Sequence, residues 1–506
     1  MINAGVEGAC TLARHAVEWR RNETATVRDG RSRAKRDATA ESVSMRTASS
    51  ANREQAEGGE RCEPYRPTPA TRWRALIPQR APGEIRGRGS KPQANAYVSG
   101  RRSITMSLSL SCYRCGERYD DGTRVRCDCG EPLWVDTEPT AFSWGDCRDR
   151  GGMWRYEALL PVDRPEGVAR AAGGTPLVRS PGLDDAAGAR VFVKDEGENP
   201  TGAYKDRGSA VAVPHTVATG DDVVGTVSYG NMAISTAAHA ASLDRECVVF
   251  VPERTSSVRL ELIAQYEPTI VQVAGDYGKL YGDALDLSEH LPIDVLVSDA
   301  PTRISGYKTA LFEIYESLSP AAPDVIALPV SSGGFASGVW LGIRDLERAG
   351  LIAEPPRLCL VQTATADPLT RAFEAGETDP TPLSPDETGD TIAHSIGNPD
   401  PPSGARALAA VRDTNGAVVS VTDDEIRTAQ RRFAVDAGFC VEPASATTLA
   451  GVSRLADRGD IAADESVVLV PTGTGFKEMG TGEAEVTTET VRRDALRDQL
   501  ESLLAP

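Results

Sequence analysis

The sequence predicts an α/β protein with two doubly wound, mostly parallel sheets, preceded by a small cysteine-bearing segment and a disordered leader. From residue 190 onward, short β-branched runs alternate with amphipathic helical stretches, the pattern of strands that helices cover on both faces. Two close pairs of cysteines stand ahead of this region. The first 105 residues are rich in Arg, Gly, Pro and Ser and contain too few apolar residues for a core.

Charge divides the chain at Met106. The 506 residues carry a formal net charge of −18, with +9 on residues 1–105 and −27 on residues 106–506. Since the leader shows neither helical nor strand periodicity, we expect residues 1–105 to be a disordered extension, or to lie upstream of a true start at Met106. The acidic body is long enough for two or three domains, and phosphate backbones would repel it, which argues against a nucleic-acid partner.

Composition narrows the class further. No apolar run approaches the ~18 residues that a membrane helix needs, so we expect a cytoplasmic protein without membrane contact. The ten cysteines in 506 residues do not form a disulfide scaffold. Abundant Asp and Glu with few lysines is typical of a salt-rich, halophilic cytosol, and an ordinary acidic enzyme is the alternative. The body contains only the lysines Lys194, Lys205, Lys279, Lys308 and Lys477.

The two cysteine pairs predict a zinc-ribbon-like knuckle over residues 106–150. Cys112 and Cys115 are separated by two residues, and Cys127 and Cys129 by one. Each pair lies in a short turn that can direct two thiolates at one tetrahedral zinc ion. Four thiolates leave no open coordination position, so the predicted zinc is structural. Four unrelated reduced cysteines are the alternative.

The body is predicted to extend over residues 151–490, with a smaller domain inserted over 223–322 and a C-terminal helix or tail over 491–506. Predicted strands cover 190–193, 223–227, 247–251, 269–273, 294–297, 324–328, 357–361, 418–421 and 466–470. Predicted helices include 232–242, 257–265, 306–318, 336–348 and 423–437. In such folds ligands bind where the loops after the strands converge.

The loop after the first of these strands places Lys205 at the start of a helix. The positive helix end disfavours an ammonium and favours a neutral amine, which can form a Schiff base with an aldehyde cofactor. A surface lysine within a Lys-Asp-Arg cluster is the alternative reading.

Three further loops offer groups that suit a ligand. Asn231 follows Ser228-Tyr229-Gly230 and either presents an amide to a ligand or caps a helix. The loop from Ser332 to Gly338 opens a helix with small residues, as a phosphate cradle does, but lacks the lysine of a Walker loop. The last loop, residues 470–475, could place a hydroxyl against a heterocyclic nitrogen or simply turn the chain.

Taken in order, these loops resemble the fold-type II pyridoxal-phosphate enzymes, most closely the threonine synthase family. The resemblance runs from about residue 173 to residue 477 and rests mainly on ENPTGAYKDRG, with EPASA at 442–446. It implies that Lys205 is the catalytic lysine in Schiff-base linkage to pyridoxal 5'-phosphate. The cofactor-binding residues it implies are Asn231 beside the 3-hydroxyl, Thr472 facing the pyridine nitrogen, and Ser332, Gly333, Gly334 and Phe335 around the phosphate. The substrate-binding residues it implies are Ser228, Ser298 and Arg303.

The resemblance implies conversion of O-phospho-L-homoserine and water to L-threonine and phosphate. The sequence departs from the family on the substrate side, where Met232 replaces a threonine, Tyr229 a serine, and Thr474 a histidine or asparagine. Two other readings therefore stay open: another fold-type II lyase of the serine/threonine dehydratase or cysteate-synthase-like kind, or a cofactor-binding regulator without catalysis. The partner is a small amino-acid substrate. A homodimer is compatible with the sequence, which does not fix the oligomeric state.

Overall fold

Strands and helices alternate through most of the part of the chain that the computed structural model describes. The described residues are 108–120, 122, 124–147, 151–275, 279–478, 488 and 490–503, so the predicted leader over 1–105 lies outside them. The strands are β1 (Leu110–Cys112), β2 (Arg118–Tyr119), β3 (Leu133–Val135), β4 (Leu177–Arg179), β5 (Arg190–Lys194), β6 (Val223–Val227), β7 (Glu246–Pro252), β8 (Thr269–Val273), β9 (Asp294–Val295), β10 (Val325–Pro329), β11 (Arg357–Thr363), β12 (Ala417–Val421) and β13 (Ser466–Leu469). The helices are α1 (Asp184–Ala187), α2 (Lys205–Thr219), α3 (Asn231–Ser242), α4 (Ser257–Ala264), α5 (Leu280–His290), α6 (Pro301–Tyr307), α7 (Thr309–Leu318), α8 (Gly334–Arg348), α9 (Pro368–Glu374), α10 (Gly404–Asp413), α11 (Asp423–Ala437), α12 (Pro443–Asp457) and α13 (Leu496–Leu503).

Two parallel sheets form the body, as predicted. The larger has the order β12-β11-β10-β13-β5-β4, in which the edge strand β4 alone runs antiparallel to its neighbour. The smaller has the order β8-β7-β6-β9, and its strands are parallel. All four strands of the smaller sheet fall between β5 and β10 in the chain, which is consistent with an inserted domain. The exact domain bounds stay a prediction.

The apolar strands are covered on both faces, which explains their continuous hydrophobic character. Every residue of β10 is buried, and separate clusters of apolar side chains fill the two sides of the larger sheet. A third cluster lies between the smaller sheet and its helices. No helix in the described part of the chain combines the length and apolarity needed to cross a membrane.

The cysteine-bearing segment is a small three-stranded antiparallel sheet with the order β2-β1-β3. Its core consists of apolar residues from these strands together with Cys112 and Cys127. Gly116 and Gly130, which close the two cysteine turns, have φ of +77° and +91°, in the left-handed region that favours glycine.

The predicted helix over 306–318 is wrong in its bounds. Helix α6 already starts at Pro301, whose fixed φ suits the first helical position, and the helix breaks at Lys308. The Thr309 hydroxyl donates to the Gly306 carbonyl oxygen at 2.6 Å and so competes with the helical ladder at the break. The strand predicted over 294–297 is also shorter, because only residues 294 and 295 pair with β6.

Candidate active site

Lys205 is the first residue of α2, at the end of the loop that follows β5. The backbone N–H and the hydroxyl of Thr201 donate to the Asp206 carboxylate at 2.6 and 2.8 Å, which fixes the turn ahead of the lysine. Nζ lies 4.5 Å from the ring centroid of Tyr204 and 5.7 Å from that of Tyr307. Within the described residues the amine has no hydrogen-bond partner, so it is available to a ligand.

The surroundings of Lys205 favour a neutral amine. Burial lowers the pKa of Lys205 to about 7, the Arg303 guanidinium acts in the same direction, and Glu442 opposes both. About half of the amine is then unprotonated at neutral pH, whereas an exposed lysine is almost fully charged. An unprotonated lysine is both a nucleophile toward an aldehyde and a base.

Three neighbouring strands of the larger sheet bring the predicted loops together. β10, β13 and β5 are adjacent, so the loops that follow them meet at one edge. The Tyr204 N–H donates to the Thr472 carbonyl oxygen at 2.9 Å, and the Thr474 N–H donates to that of Gly202 at 3.0 Å. The lysine loop and the loop after β13 therefore run side by side.

Thr472 lies beside a buried carboxyl group. Its hydroxyl is 3.1 Å from the Ser445 hydroxyl and donates to Glu442 Oε1 at 3.3 Å. Burial raises the pKa of Glu442, and the charge of Glu478 adds to this, while Lys477 and the hydrogen bonds that Glu442 accepts oppose it. Thr472 thus offers a neutral hydroxyl at the position predicted to face a heterocyclic nitrogen.

Asn231 reaches the same place from the smaller sheet, as the first residue of α3 after β6. Its amide Nδ2 donates to Glu442 Oε2 at 2.9 Å, and its Oδ1 accepts from Lys477 Nζ at 2.6 Å. The structure therefore brings Asn231, Thr472 and the Lys205 loop together at the junction of the two sheets.

The loop between β10 and α8 fits a phosphate cradle. Gly333 has φ of +86°, and a Cβ there would lie 2.5 Å from the Ser403 carbonyl oxygen. A Cβ on Gly334 would lie 2.8 Å from the Ser298 carbonyl oxygen. Larger residues would displace the backbone, so the loop exposes N–H groups at the start of a long helix, where anions bind.

The other two predicted cradle residues play different parts in the fold. The Ser332 carbonyl oxygen accepts from the Ser403 N–H at 2.9 Å, which ties the cradle to the start of α10. The Phe335 ring is buried and packs on the Tyr204 ring, with centroids 4.2 Å apart. Only the backbone of Phe335 can therefore serve a phosphate.

The predicted substrate-binding residues are not equivalent in the structure. Ser228 and Ser298 are partly exposed and follow β6 and β9, which pair in the smaller sheet. Arg303 is fully buried, and it donates to the Ser209 hydroxyl at 2.9 Å and to the Thr236 hydroxyl at 2.7 Å. These two hydroxyls belong to α2 and α3, and a longer hydrogen bond of 3.4 Å goes to the Leu296 carbonyl oxygen.

Sequence reasoning missed Lys477 and Glu442 as contacts of Asn231. A usable signal existed for Lys477, because it is one of five lysines in the body and follows directly on the loop after β13. Glu442 was noted only within the EPASA segment, and its position as the residue before α12 directs it at the same loop.

The four cysteines of the knuckle also converge. The Sγ atoms of Cys112 and Cys129 are 3.6 Å apart, and those of Cys115 and Cys127 are 3.5 Å apart. All four lie within 4.8 Å of one another, and none forms a disulfide. Thiolates around a tetrahedral ion at about 2.3 Å are separated by a little under 4 Å, so the arrangement has the size of a zinc site.

Together, the two parallel sheets, the lysine with a lowered pKa and the glycine cradle define the class of a fold-type II enzyme. Two solved structures share the fold. They are maize serine racemase, with 22% identity and a TM-score of 0.50 over 65% of this chain and 92% of that one, and threonine deaminase isoform 2 from Solanum lycopersicum, with 19% identity and a TM-score of 0.52 over 72% and 90%.

Sequence comparison narrows the class. Residues 168–473 match the family described as pyridoxal-phosphate dependent enzyme. The threonine synthase of Methanocaldococcus jannaschii is 35% identical over 72% of this chain and 92% of its own length, and that of Methanosarcina acetivorans is 32% identical over 74% and 93%. The threonine synthase of Mycobacterium leprae is 36% identical over 65% and 89%. The chain belongs to the pyridoxal-phosphate dependent enzymes and, within them, to the threonine synthase family.

Proposed function

We propose that this protein is a threonine synthase, which converts O-phospho-L-homoserine and water to L-threonine and phosphate. The observation that carries the proposal is the similarity to the threonine synthase of Methanocaldococcus jannaschii, which extends over 92% of that protein. The site supports it, because a lysine whose pKa is lowered to about 7 lies where the loops of both sheets meet.

The residues present fit pyridoxal phosphate. The cradle excludes a Cβ at Gly333 and Gly334, which leaves room for an anion, and the Lys205 amine has no hydrogen-bond partner in the described chain. We infer that the cofactor is held covalently by Lys205, at its 3-hydroxyl by Asn231 and at its pyridine nitrogen by Thr472. Its phosphate would lie on backbone N–H groups of the loop Ser332, Gly333, Gly334 and Phe335. When bound, the cofactor supplies an electron sink for the carbanion that forms at the substrate α-carbon.

Lys205 then acts as the base of the reaction. The unprotonated lysine would take the proton from the substrate α-carbon, and it would return protons at later steps. Thr472 is neutral, so it leaves the pyridine nitrogen without a charged partner. That condition would favour loss of a β-proton together with the γ-phosphate over transamination. The γ-carbon would then gain a proton, and water would add at the β-carbon.

For the substrate we propose Ser228, Ser298 and Arg303 as the binding groups. Ser298 adjoins the cradle, since its carbonyl oxygen would lie 2.8 Å from a Cβ on Gly334, and we infer that its hydroxyl serves the same anion. Arg303 supplies buried positive charge and already contributes to the lowered pKa of Lys205. The Nη1 and Nη2 atoms of Arg303 already donate to the Ser209 and Thr236 hydroxyls, whereas its buried Nε has no hydrogen-bond partner among the described residues. A phosphate would therefore contact Nε, or displace one of the two hydroxyls.

The test is a coupled measurement on protein loaded with cofactor in high salt. We expect O-phospho-L-homoserine to yield phosphate and threonine in equal amounts, and Lys205→Ala to abolish both. Lys308→Ala is a poor control because Lys308 is paired with Asp345 in the core at 2.7 Å, so the exposed Lys279→Ala is used. Formation of a 2-oxo acid from threonine or serine, without phosphate release, would instead establish a dehydratase.

We also propose that Cys112, Cys115, Cys127 and Cys129 bind one structural zinc ion. The support is the separation of the Sγ atoms, 3.5 and 3.6 Å within the two closest pairs. Metal analysis should return about one zinc per chain, and the variant Cys115→Ser/Cys129→Ser should lose it. Cys440→Ser, which removes an exposed cysteine elsewhere, should keep the metal. Full retention of zinc in the double variant would exclude the site.

A further inference from the structure

Lys477 is a second lysine at the candidate active site, and the reaction described above does not use it. It lies after β13, at the end of the loop that carries Thr472, and is partly buried. Its Nζ donates to Asn231 Oδ1 at 2.6 Å and to the Thr201 carbonyl oxygen at 2.9 Å. One ammonium therefore joins the loop ahead of Lys205 to the start of α3.

These contacts allow one orientation of the Asn231 amide. An ammonium can only donate, so the carbonyl oxygen of Asn231 must face Lys477. The NH₂ group then faces Glu442 Oε2, which accepts from it at 2.9 Å. The reversed amide would set N–H groups against the ammonium and an oxygen against the carboxyl group. The Lys477 contact selects this orientation even when Glu442 carries a proton.

The fixed amide has one donor left. Nδ2 carries two hydrogens, and a single acceptor, Glu442, is present among the described residues. The second N–H is free to meet an acceptor such as a phenolate oxygen. If the amide were reversed, its carbonyl oxygen would meet that phenolate and repel it.

The segment that holds Lys477 is itself anchored to the smaller sheet. Glu478 accepts from Arg259 Nη2 at 2.8 Å, and Arg259 lies on α4. The Arg259 guanidinium lies 5.5 Å from the centroid of the Tyr229 ring, two residues ahead of Asn231. The residue that follows Lys477 is thus held by α4, which restricts where the Lys477 side chain can lie.

We propose that Lys477 is a positioning residue, which fixes the Asn231 amide so that its N–H donates to the 3-oxygen of the cofactor. The inference rests on the proposed function, in that it takes Asn231 as the partner of that oxygen. Lys477 also keeps the Lys205 loop in register with α3 through the Thr201 carbonyl oxygen.

The test compares four variants by titrating apoprotein with pyridoxal phosphate and recording the visible band of the bound cofactor. Lys477→Met removes the donor and should weaken cofactor binding about tenfold or more, since a hydrogen bond from a charged group is lost and the amide is free to reverse. Lys477→Arg keeps a donor and should bind within about threefold of wild type. Lys477→Glu forces the reversed amide and should bind more weakly than Lys477→Met. Lys279→Met removes an exposed lysine and serves as the control.

A double-mutant cycle separates positioning from a general structural role. If Lys477 acts through Asn231, Lys477→Met should cost little further affinity in an Asn231→Ala background. The inference would be overturned if the double variant lost affinity for the cofactor by the product of the two single-variant factors. It would also be overturned if the Lys477→Met protein kept the affinity and spectrum of the wild type. Failure of the proposed function has another signature, because the wild type would then bind cofactor but release no phosphate from O-phospho-L-homoserine.

Discussion

At the scale of single residues, the lowered pKa of Lys205 makes cofactor uptake depend on pH. Only the unprotonated amine attacks an aldehyde, and the pKa of Lys205 is about 7 in the folded protein. The rate at which apoprotein takes up pyridoxal phosphate should therefore rise as pH increases through about 7 and then level off. Stopped-flow absorbance from about pH 5.5 to about pH 10.5 measures this. A rate that keeps rising toward pH 10 would show an ordinary lysine.

Met232 is the residue at which the resemblance predicts a departure from the family on the substrate side. It is the second residue of α3 and is 7% exposed, so its thioether occupies buried space next to Asn231. A thioether cannot donate a hydrogen bond or move a proton, and a positioned proton-transfer group is worth about 10²- to 10⁴-fold in rate.

We therefore expect weak phosphate release from O-phospho-L-homoserine in the wild type, and a rise of tenfold or more in Met232→Thr. Met232→Leu, which keeps the bulk and adds no hydroxyl, is the matched control and should stay near wild type. Arg303→Ala should raise KM for the phosphorylated substrate much more than for a neutral amino acid. Efficient wild-type turnover that Met232→Thr leaves unchanged would mean that this position does not limit the reaction.

At the scale of elements, the sequence predicted those strands and helices that have a distinct local hydrophobic pattern. Except for the edge strand β4, which was not predicted, the strands of both sheets were predictable because each is a short apolar run between turns. Helix α11 was predictable because its amphipathic pattern follows a capping box at Thr422. Helix α12 was not predicted, since its first turns are buried on all sides and consist of Ala, Ser and Thr. Its small residues hide the helical period.

The site could be predicted only in part for a related reason. Lys205, Asn231 and Thr472 follow the carboxyl ends of strands, so topology alone brings them together. The contacts of Asn231 with Glu442 and Lys477 join residues that are 211 and 246 positions apart. They depend on how α12 and the last loop pack against α3, which no local pattern encodes. The roles assigned to these residues remain predictions.

The knuckle also contacts the body through Arg126, which precedes Cys127. Its guanidinium donates to the Tyr281 hydroxyl at 2.8 Å and to the buried carboxylate of Asp299 at 3.0 Å. Asp299 also accepts from the Ser403 hydroxyl at 2.8 Å, so the knuckle reaches the segment that adjoins the phosphate cradle. If the knuckle binds the proposed zinc ion, these contacts connect that ion to the order of the active site without a catalytic role.

Arg126→Ala should lower the free energy of unfolding by about 2 kcal/mol, because it leaves the Asp299 carboxylate short of a charged partner. This loss of stability is smaller than for a fully buried ion pair, because the Arg126 side chain is 25% exposed and water can replace it in part. Arg124→Ala removes a neighbouring arginine whose ion pair with Asp128 is exposed, and it should change stability very little. Urea unfolding measures both variants, with zinc content recorded alongside. Equal losses would show that Arg126 has no special link to the body.

At the scale of the whole molecule, a buried ion network ties the lysine-bearing helix to the rest of the fold. Glu313 on α7 accepts from Lys194 Nζ at 2.6 Å and from Arg207 at 2.7 and 2.9 Å. Arg207 also pairs with the buried Glu196 at 2.6 Å. Strand β5, helix α2 and helix α7 are thus joined by one set of paired charges. Its member on α2, Arg207, lies two residues beyond Lys205.

This network should make the protein sensitive to acid. Burial alone would raise the pKa of Glu313, but Arg207 and Lys194 outweigh it and hold that pKa well below its usual value of 4.5. A depressed pKa stabilises the fold above the pKa of the unfolded chain, and this contribution is lost as pH falls below about 4.5. Glu313→Gln should cost about 3–5 kcal/mol at neutral pH and flatten the acid limb of stability. Glu316 lies on the same helix but is partly exposed, so Glu316→Gln should neither lower stability at neutral pH by that amount nor flatten the acid limb.

Because acidic residues are in excess, we expect the thermal stability of the protein to depend on salt concentration. Residues 106–506 carry a net charge of −27, so the folded body repels itself more than the expanded chain does. The Debye length falls from about 10 Å at 0.1 M salt to about 3 Å at 1 M, which screens most of this repulsion. We expect Tm to rise steadily as KCl increases from 0.1 M to about 2 M. Sucrose controls for solute exclusion, which stabilises any fold without screening charge, and its effect should be the smaller. A Tm that is constant or falls over the KCl series would show that the acidic surface does not limit stability.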